Sequence, residues 1–197
     1  MNEFLVRPAR TSDCGAIARL YSISSDGVAD YIWSCLAEPG QSLLDVGRRR
    51  YEREESQFSF RNCRVVTAGD DVAGMLVAFP IEEGPVEDDP DPDPVLAPYS
   101  RLEDPGSYYI CGVALFPEYR GQGLGTRLMA IAEEDALERS LPRLSLVVFE
   151  CNQGALRLYE RLGYVETARA TVVPHPLIRV SGDAILMVRN LGVARPE

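Results

Sequence analysis

The sequence contains one histidine, His175, and five cysteines, at positions 14, 35, 63, 111 and 151, with no C-x-x-C pair among them. An odd set so spaced supports neither a disulfide framework nor a zinc site, so no metal is expected. His175 stands between two prolines and is given no role. Without a histidine nearby, cysteine nucleophile chemistry has no base. Cys111 and Cys151 fall in or beside apolar strands, where the expected role is that of a small buried hydrophobe. No stretch approaches the roughly 18 uninterrupted apolar residues of a membrane span. The start, Met1-Asn2-Glu3-Phe4, lacks the basic residues and apolar core of a signal peptide. A cytoplasmic protein with no membrane partner is the expectation. The net charge of −10 argues against a nucleic-acid partner, which usually meets a basic footprint.

The most informative stretch is residues 107–129. Tyr108, Tyr109, Ile110, Val113, Leu115 and Phe116 form an apolar, aromatic and β-branched run that Pro117 ends, as a strand would. Arg120-Gly121-Gln122-Gly123-Leu124-Gly125 follows, and then Leu124, Leu128 and Ile131 recur at helical spacing, with Ala132 and Leu137 continuing the stripe. The glycines therefore sit at a helix N-terminus, where unpaired N–H groups and the positive end of the dipole suit a phosphate. Two nucleotide motifs are missing. Gly125 is followed by Thr126 and Arg127, so there is no Walker lysine, and G-x-G-x-G is not the Rossmann spacing.

A second motif follows another apolar strand, residues 144–149. Asn152 is a suitable N-cap and Gly163 a suitable C-cap for a short helix, with Tyr159 near the face of Asn152 two turns on. Together the R-x-x-G-x-G turn and the Asn152, Ala155, Tyr159, Gly163-Tyr164 series closely resemble the signature of the GNAT acyltransferase superfamily. The resemblance covers about residues 107–165; elsewhere only element order agrees.

Along the rest of the chain, residues 4–7 read as a strand closed by Pro8, with caps at 11–13 for a helix carrying Ile17, Leu20 and Tyr21. Residues 28–59 read as helices broken at Pro39-Gly40, with Trp33 and Tyr31 expected in the core and Arg48, Arg49 and Arg50 on a solvated face. Residues 63–68 and 72–80 form a hairpin across Gly69-Asp70-Asp71, 164–173 and 184–188 are the last strands, and the end from Leu191 is a frayed tail. Residues 82–106 hold nine acids against one base, Arg101, and six of the fourteen prolines. An extended, mobile, acidic loop is expected there.

The fold implied is α/β: a GNAT-type acyl-CoA N-acyltransferase with a mixed, mostly antiparallel sheet of six to seven strands flanked by helices. At 197 residues a single domain, 1–197, is expected. The resemblance implies an acetyl-CoA-dependent N-acetyltransferase acting by direct transfer in a ternary complex. Acetyl-CoA is then cosubstrate, bound by Val113, Ala114, Leu115, Arg120, Gly121, Gln122, Gly123, Leu124, Gly125, Thr126 and Asn152, with Tyr159 the general acid for the leaving thiolate. The acceptor is a small-molecule or peptide amine, with a cationic one favoured by the acidic loop, and a homodimer is allowed for. The superfamily's peptide-acetylating members often carry a glutamate five residues before the Asn, where this chain has Val147. Glu82, Glu103, Glu150 and Tyr108 are the alternative bases. A catalytically silent acyl-CoA-binding module is the competing class, and a nucleotide-dependent enzyme a third.

Overall fold

The computed structural model describes residues 4–84 and 93–192. Its elements run β1 (Phe4–Pro8), α1 (Cys14–Ser24), α2 (Val28–Leu36), α3 (Leu43–Glu52), β2 (Cys63–Ala68), β3 (Asp71–Pro80), α4 (Ala97–Ser100), β4 (Tyr108–Leu115), α5 (Leu124–Glu138), β5 (Arg143–Phe149), α6 (Gln153–Arg161), β6 (Val165–Thr171) and β7 (Asp183–Asn190). Seven strands form one mixed sheet in the order β1-β2-β3-β4-β5-β7-β6, flanked by helices. β1 pairs antiparallel with β2, β2 with β3, and β7 with both β5 and β6, whereas β4 and β5 are parallel. Parallel neighbours cannot be joined by a tight turn, so the crossover helix α5 separates β4 from β5. Among the described residues no helix is long and apolar enough to cross a membrane.

The chain divides into two compact units. The first comprises Met1–Ala78, Gly112–Met129 and Leu177–Arg179. Its core is built where α1 and α3 meet, with Ile17, Leu20, Trp33 and Tyr51 almost wholly buried. Gly47 sits inside α3, where glycine costs about 1 kcal/mol relative to alanine. A Cβ there would lie 2.6 Å from the Trp33 ring, so the glycine is needed to seat the indole. β1 is tied to α1 by a bidentate pair, Arg7 to Asp13 at 2.7 and 3.0 Å, and the Arg10 N–H donates to the same carboxylate at 2.7 Å. Desolvation pulls the Asp13 carboxyl upward, but the Arg7 and Arg10 hydrogen bonds outweigh it and hold the group below its ordinary value.

The α1–α2 turn clasps residues 177–179. The Arg179 N–H donates to Asp26 O, and its guanidinium reaches both the Asp30 carboxylate and the Ser22 carbonyl at 2.7 and 2.8 Å. Gly27, at φ 99°, allows this approach: a Cβ would stand 1.9 Å from the Leu177 carbonyl oxygen.

The second unit comprises Phe79–Cys111, Ala130–Pro176 and Val180–Glu197. β7, flanked by strands on both sides, is buried from Ala184 to Val188, and it packs with Leu144, Leu146 and Val148 of β5. The Ser107 and Ser145 hydroxyls pair at 2.6 Å within this interior, so neither is left unsatisfied. β6 is an exposed edge, guarded by Arg169 bridging Glu150, Glu166 and Asp183.

Four expectations need correction. Residues 93–106 are not extended: α4 forms, Val95, Pro98 and Leu102 are buried, and Asp104 takes a bidentate bond from Arg143 at 2.9 and 3.3 Å. Asp93 Oδ1 accepts from the Val95 and Leu96 N–H groups, and Pro98 lies in the first turn of α4, where a missing N–H is harmless. The remainder of the predicted loop with its acids Glu87, Asp88, Asp89 and Asp91 lies outside the described residues, as do positions 193–197 of the expected tail. Leu137 is 45% exposed, because thirteen residues from Leu124 rotate it by about 220° to the far side of α5; the buried line is Leu124, Leu128, Ala132 and Ala136. Cys151 is exposed and Cys111 only half-buried, while Cys14 and Cys63 are the buried thiols. The two cysteines differ from expectation for different reasons: Cys151 stands past the end of β5, and Cys111 occupies the less buried face of β4.

Gly27→Ala should destabilise the protein well beyond Gly40→Ala. Both positions have positive φ, worth about 1–3 kcal/mol of strain, but a Cβ at Gly40 meets nothing within 4 Å. Urea denaturation of the two variants measures the difference, and equal losses would mean that the close approach of residue 177 carries no energetic weight.

Candidate active site

β4 alternates strictly, with Tyr108, Ile110, Gly112 and Ala114 buried and Tyr109, Cys111, Val113 and Leu115 half-buried. Of the three strand residues expected to bind cofactor, Val113 and Leu115 share the accessible face, whereas Ala114 points to the other and is available only through its backbone. The ladder between β4 and β5 covers Tyr108–Ile110 against Leu144–Leu146. Beyond Ile110 no β5 pairing occurs among the described residues, which leaves that edge of β4 free to pair with an amide-bearing ligand.

The strand leads into a turn fixed by its own backbone. The Phe116 N–H donates to Ala73 O, Pro117–Tyr119 makes a short 3₁₀ turn, and Arg120 Nε donates to the Leu115 carbonyl at 3.1 Å. Gly121 and Gly123 have φ of 73° and 76°, and a Cβ on either would meet nothing within 4 Å. Left-handed backbone, not crowding, therefore requires glycine at these two positions. The Arg127 N–H bonds to Gly123 O at 3.1 Å, the first bond of α5, so the N–H groups of Leu124, Gly125 and Thr126 precede the hydrogen-bonded helix. Arg120, Gly121, Gln122, Gly123 and Thr126 are exposed, while Leu124 is buried as an anchor. These residues, with 113–115, are thus brought together in the first unit.

Asn152 and Tyr159 belong to the second unit. Asn152 caps α6, its Oδ1 accepting from the Ala155 N–H at 3.1 Å, and Gly163 ends the helix at φ 85°. Tyr159 projects from α6 against Tyr164, ring centroids 5.8 Å apart. Desolvation pushes its phenol up to about 12, so it stays protonated and available as a donor at neutral pH.

The four alternative bases separate clearly. Tyr108 is buried beneath the Arg139 guanidinium, 5.8 Å above its ring. Glu150 is exposed and held by Arg169 at 3.4 Å. Glu82 is exposed at the end of β3. Glu103 is solvent-accessible, yet the protein around it desolvates its carboxyl and raises it above the ordinary range. Val147 is half-buried on β5 and carries no base. Tyr109 also lies on the accessible face of β4. Strand alternation was the available signal, because a residue adjacent to the buried Tyr108 must take the opposite face, with Val113 and Leu115. Among the described residues no cluster of three or more His, Cys, Asp or Glu side chains is arranged to hold a metal ion.

A seven-stranded mixed sheet, a glycine turn opening the helix after β4 and an Asn-capped helix after β5 define the acetyltransferase class of α/β folds. The acetyltransferase (GNAT) family model matches residues 28–164, most of the sequence, and the chain belongs to that family. Structures of similar fold include an N-acetyltransferase from Staphylococcus aureus Mu50, with TM-score 0.66 and 19% identity over 94% of this chain and 100% of that one. The ribosomal-protein-S18-alanine N-acetyltransferase from Escherichia coli gives 0.61 and 17% identity over 98% and 96%. Among curated proteins, the thialysine N-epsilon-acetyltransferase of Bos taurus is 36% identical over 62 residues, covering 32% of this chain and 36% of its own. An acetyltransferase of Yersinia pestis (strain Pestoides F) is 37% identical over 59 residues, covering 30% and 40%. The matched stretch thus spans well under half the length of these two relatives.

Proposed function

We propose that the protein is an N-acetyltransferase that moves the acetyl group of acetyl-CoA directly to an amine acceptor. The observation that carries this reading is the turn at Gly121 and Gly123, which has open space around both glycines and leaves the N–H groups of Leu124, Gly125 and Thr126 ahead of the first helical hydrogen bond of α5. An anion there gains those donors and the positive end of a fifteen-residue helix. The assigned role of residues 120–126 is to hold the CoA pyrophosphate, with the exposed Arg120 adding charge while its Nε keeps the loop tied to Leu115. The free edge of β4 at 113–115 pairs with the pantetheine amides, and an N–H there polarises the thioester carbonyl. Asn152 hydrogen-bonds the same arm through the polar atoms its cap leaves free.

Tyr159 supplies the proton for the departing thiolate. A free thiol has a pKa near ~8.5, well below the phenol's value of about 12. Tyr159 therefore acts chiefly as a strong hydrogen-bond donor, transferring its proton only as the C–S bond breaks. One catalytic domain spanning residues 1–197 carries this chemistry in our reading. The acceptor we favour is a cationic amine. The described acids Glu82, Glu83 and Glu103 are exposed, and the undescribed residues 85–92 add four more against no base.

Release of CoA from acetyl-CoA, followed with thialysine, spermidine and glycinamide as acceptors, tests the activity. Spermidine and thialysine should outrun glycinamide, with an advantage that shrinks as salt rises and screens the acidic charges. Tyr159→Phe should lower kcat by about 10²-fold with little change in KM, because the proton is needed in the transition state. Undiminished kcat would reduce Tyr159 to packing. Gly123→Glu should abolish acetyl-CoA binding by calorimetry, since it puts negative charge at the phosphate position. A folded variant with parental affinity would remove the pyrophosphate assignment.

A further inference from the structure

The proposed acetyl transfer makes no use of a cleft in the first unit, whose volume is about 720 Å³. That volume falls within the range of small-molecule sites, about 300–1,000 Å³. Its lining comes from β1, the lead-in and one face of α1, the β2–β3 turn and the turn that follows β4.

Two of the charged lining groups, Arg7 and Asp13, are spent on each other. The Asp13 carboxylate takes both Arg7 Nη atoms and the Arg10 N–H, and Arg7 Nη1 also donates to the Pro8 carbonyl at 3.1 Å. The remaining charges divide by element. Arg10, just before α1, and Arg19, on α1, are basic, whereas Asp70 and Asp71 at the β2–β3 turn and Glu118 in the turn after β4 are acidic. All five are exposed, and among the described residues none of them forms an ion pair. The Arg19 guanidinium is nonetheless fixed in place, its carbon 5.4 Å from the centroid of the Phe116 ring that it overlies. Ala16, one turn before Arg19 on the same face of α1, is small and leaves the space beside it open.

We propose that this cleft binds a zwitterionic amino acid with an apolar or aromatic side chain. Arg10 and Arg19 take its carboxylate, and the carboxylates of Asp70, Asp71 and Glu118 take its ammonium. A simple anion drawn to the arginines would meet three carboxylates in the same cleft, and a simple cation drawn to the carboxylates would meet two arginines. A zwitterion gains from both sets and brings no net charge. The guanidinium fork matches a carboxylate in two parallel hydrogen bonds, which makes arginine well suited to that end of the ligand. The apolar preference comes from the rest of the lining. Leu5 is 58% exposed, and Val72, Phe116 and Tyr119 are partly exposed, so a side chain laid on them would take apolar surface out of water. This assignment is independent of the acetyltransferase reading and concerns none of the residues given a part in it.

Calorimetry without acetyl-CoA tests the site, using phenylalanine, phenylalaninamide, N-acetylphenylalanine and glycine as probes. Phenylalaninamide keeps the ammonium but lacks the carboxylate, and N-acetylphenylalanine keeps the carboxylate but lacks the ammonium. Phenylalanine should bind saturably, and each blocked derivative should bind about 10- to 100-fold more weakly, the worth of a lost charge-assisted contact. Glycine, which has both charges and no side chain, should also bind more weakly than phenylalanine. Arg19→Gln should weaken phenylalanine by a similar factor, and Ala16→Phe, which fills the cleft without changing its charge, should abolish binding. Arg19 is exposed and Ala16 half-buried, so both variants should fold, as circular dichroism will check. Absence of saturable phenylalanine binding, equal affinity for either blocked derivative or for glycine, or parental affinity in folded Arg19→Gln or Ala16→Phe would overturn the assignment.

Discussion

The constraint on which the rest depends is the backbone at Gly121 and Gly123. Two residues in left-handed conformation turn the chain out of β4 and into α5 so abruptly that Gly123 O accepts the first helical hydrogen bond. The donors ahead of that bond have no partners within the helix, a state that costs stability in a buried setting and suits an anion at the surface. The same turn is held from behind by the Phe116 bond to Ala73 and the Arg120 bond to Leu115. Strand, turn and helix are therefore one device: α5 is the crossover that a parallel β4–β5 pair demands, and its first turn is the anion platform we propose.

Tyr159, the proposed proton donor, belongs to the second unit. Burial keeps Tyr159 protonated, and desolvation raises the Glu103 carboxyl above its ordinary range. The segment carrying Glu103 owes its order to a few contacts, with Leu102 and Pro98 buried and Asp104 locked to Arg143. Those contacts convert part of an acidic, proline-rich stretch into a fixed support.

Much of this was legible in the sequence, for identifiable reasons. The glycine turn and the Asn152 cap are local devices, written in consecutive residues, and both fold as read. The insertion of β7 between β5 and β6 is a long-range pairing that no local pattern records. The folding of residues 93–106 was hidden for a similar reason, because Arg143 is remote in sequence from Asp104. Proline content suggested an extended loop, yet Pro98 lies in the first turn of a helix. The sequence does not rank Glu82, Glu103, Glu150 and Tyr108 as bases, because the contacts of Arg169 with Glu150 and of Arg139 with Tyr108 join residues far apart in the chain.

All twenty basic residues of the chain are arginines, so it offers no lysine side chain to its own chemistry. Its one histidine has no assigned role, and its thiols with access to solvent are the exposed Cys35 and Cys151 and the half-buried Cys111, which shares the face of β4 with Val113 and Leu115. Direct transfer and transfer through a covalent acetyl-enzyme differ in kinetic order. The most direct measurement is initial rate against acetyl-CoA at several fixed spermidine concentrations. Direct transfer from a ternary complex predicts double-reciprocal lines that intersect. Parallel lines, the mark of a covalent intermediate, would contradict the account.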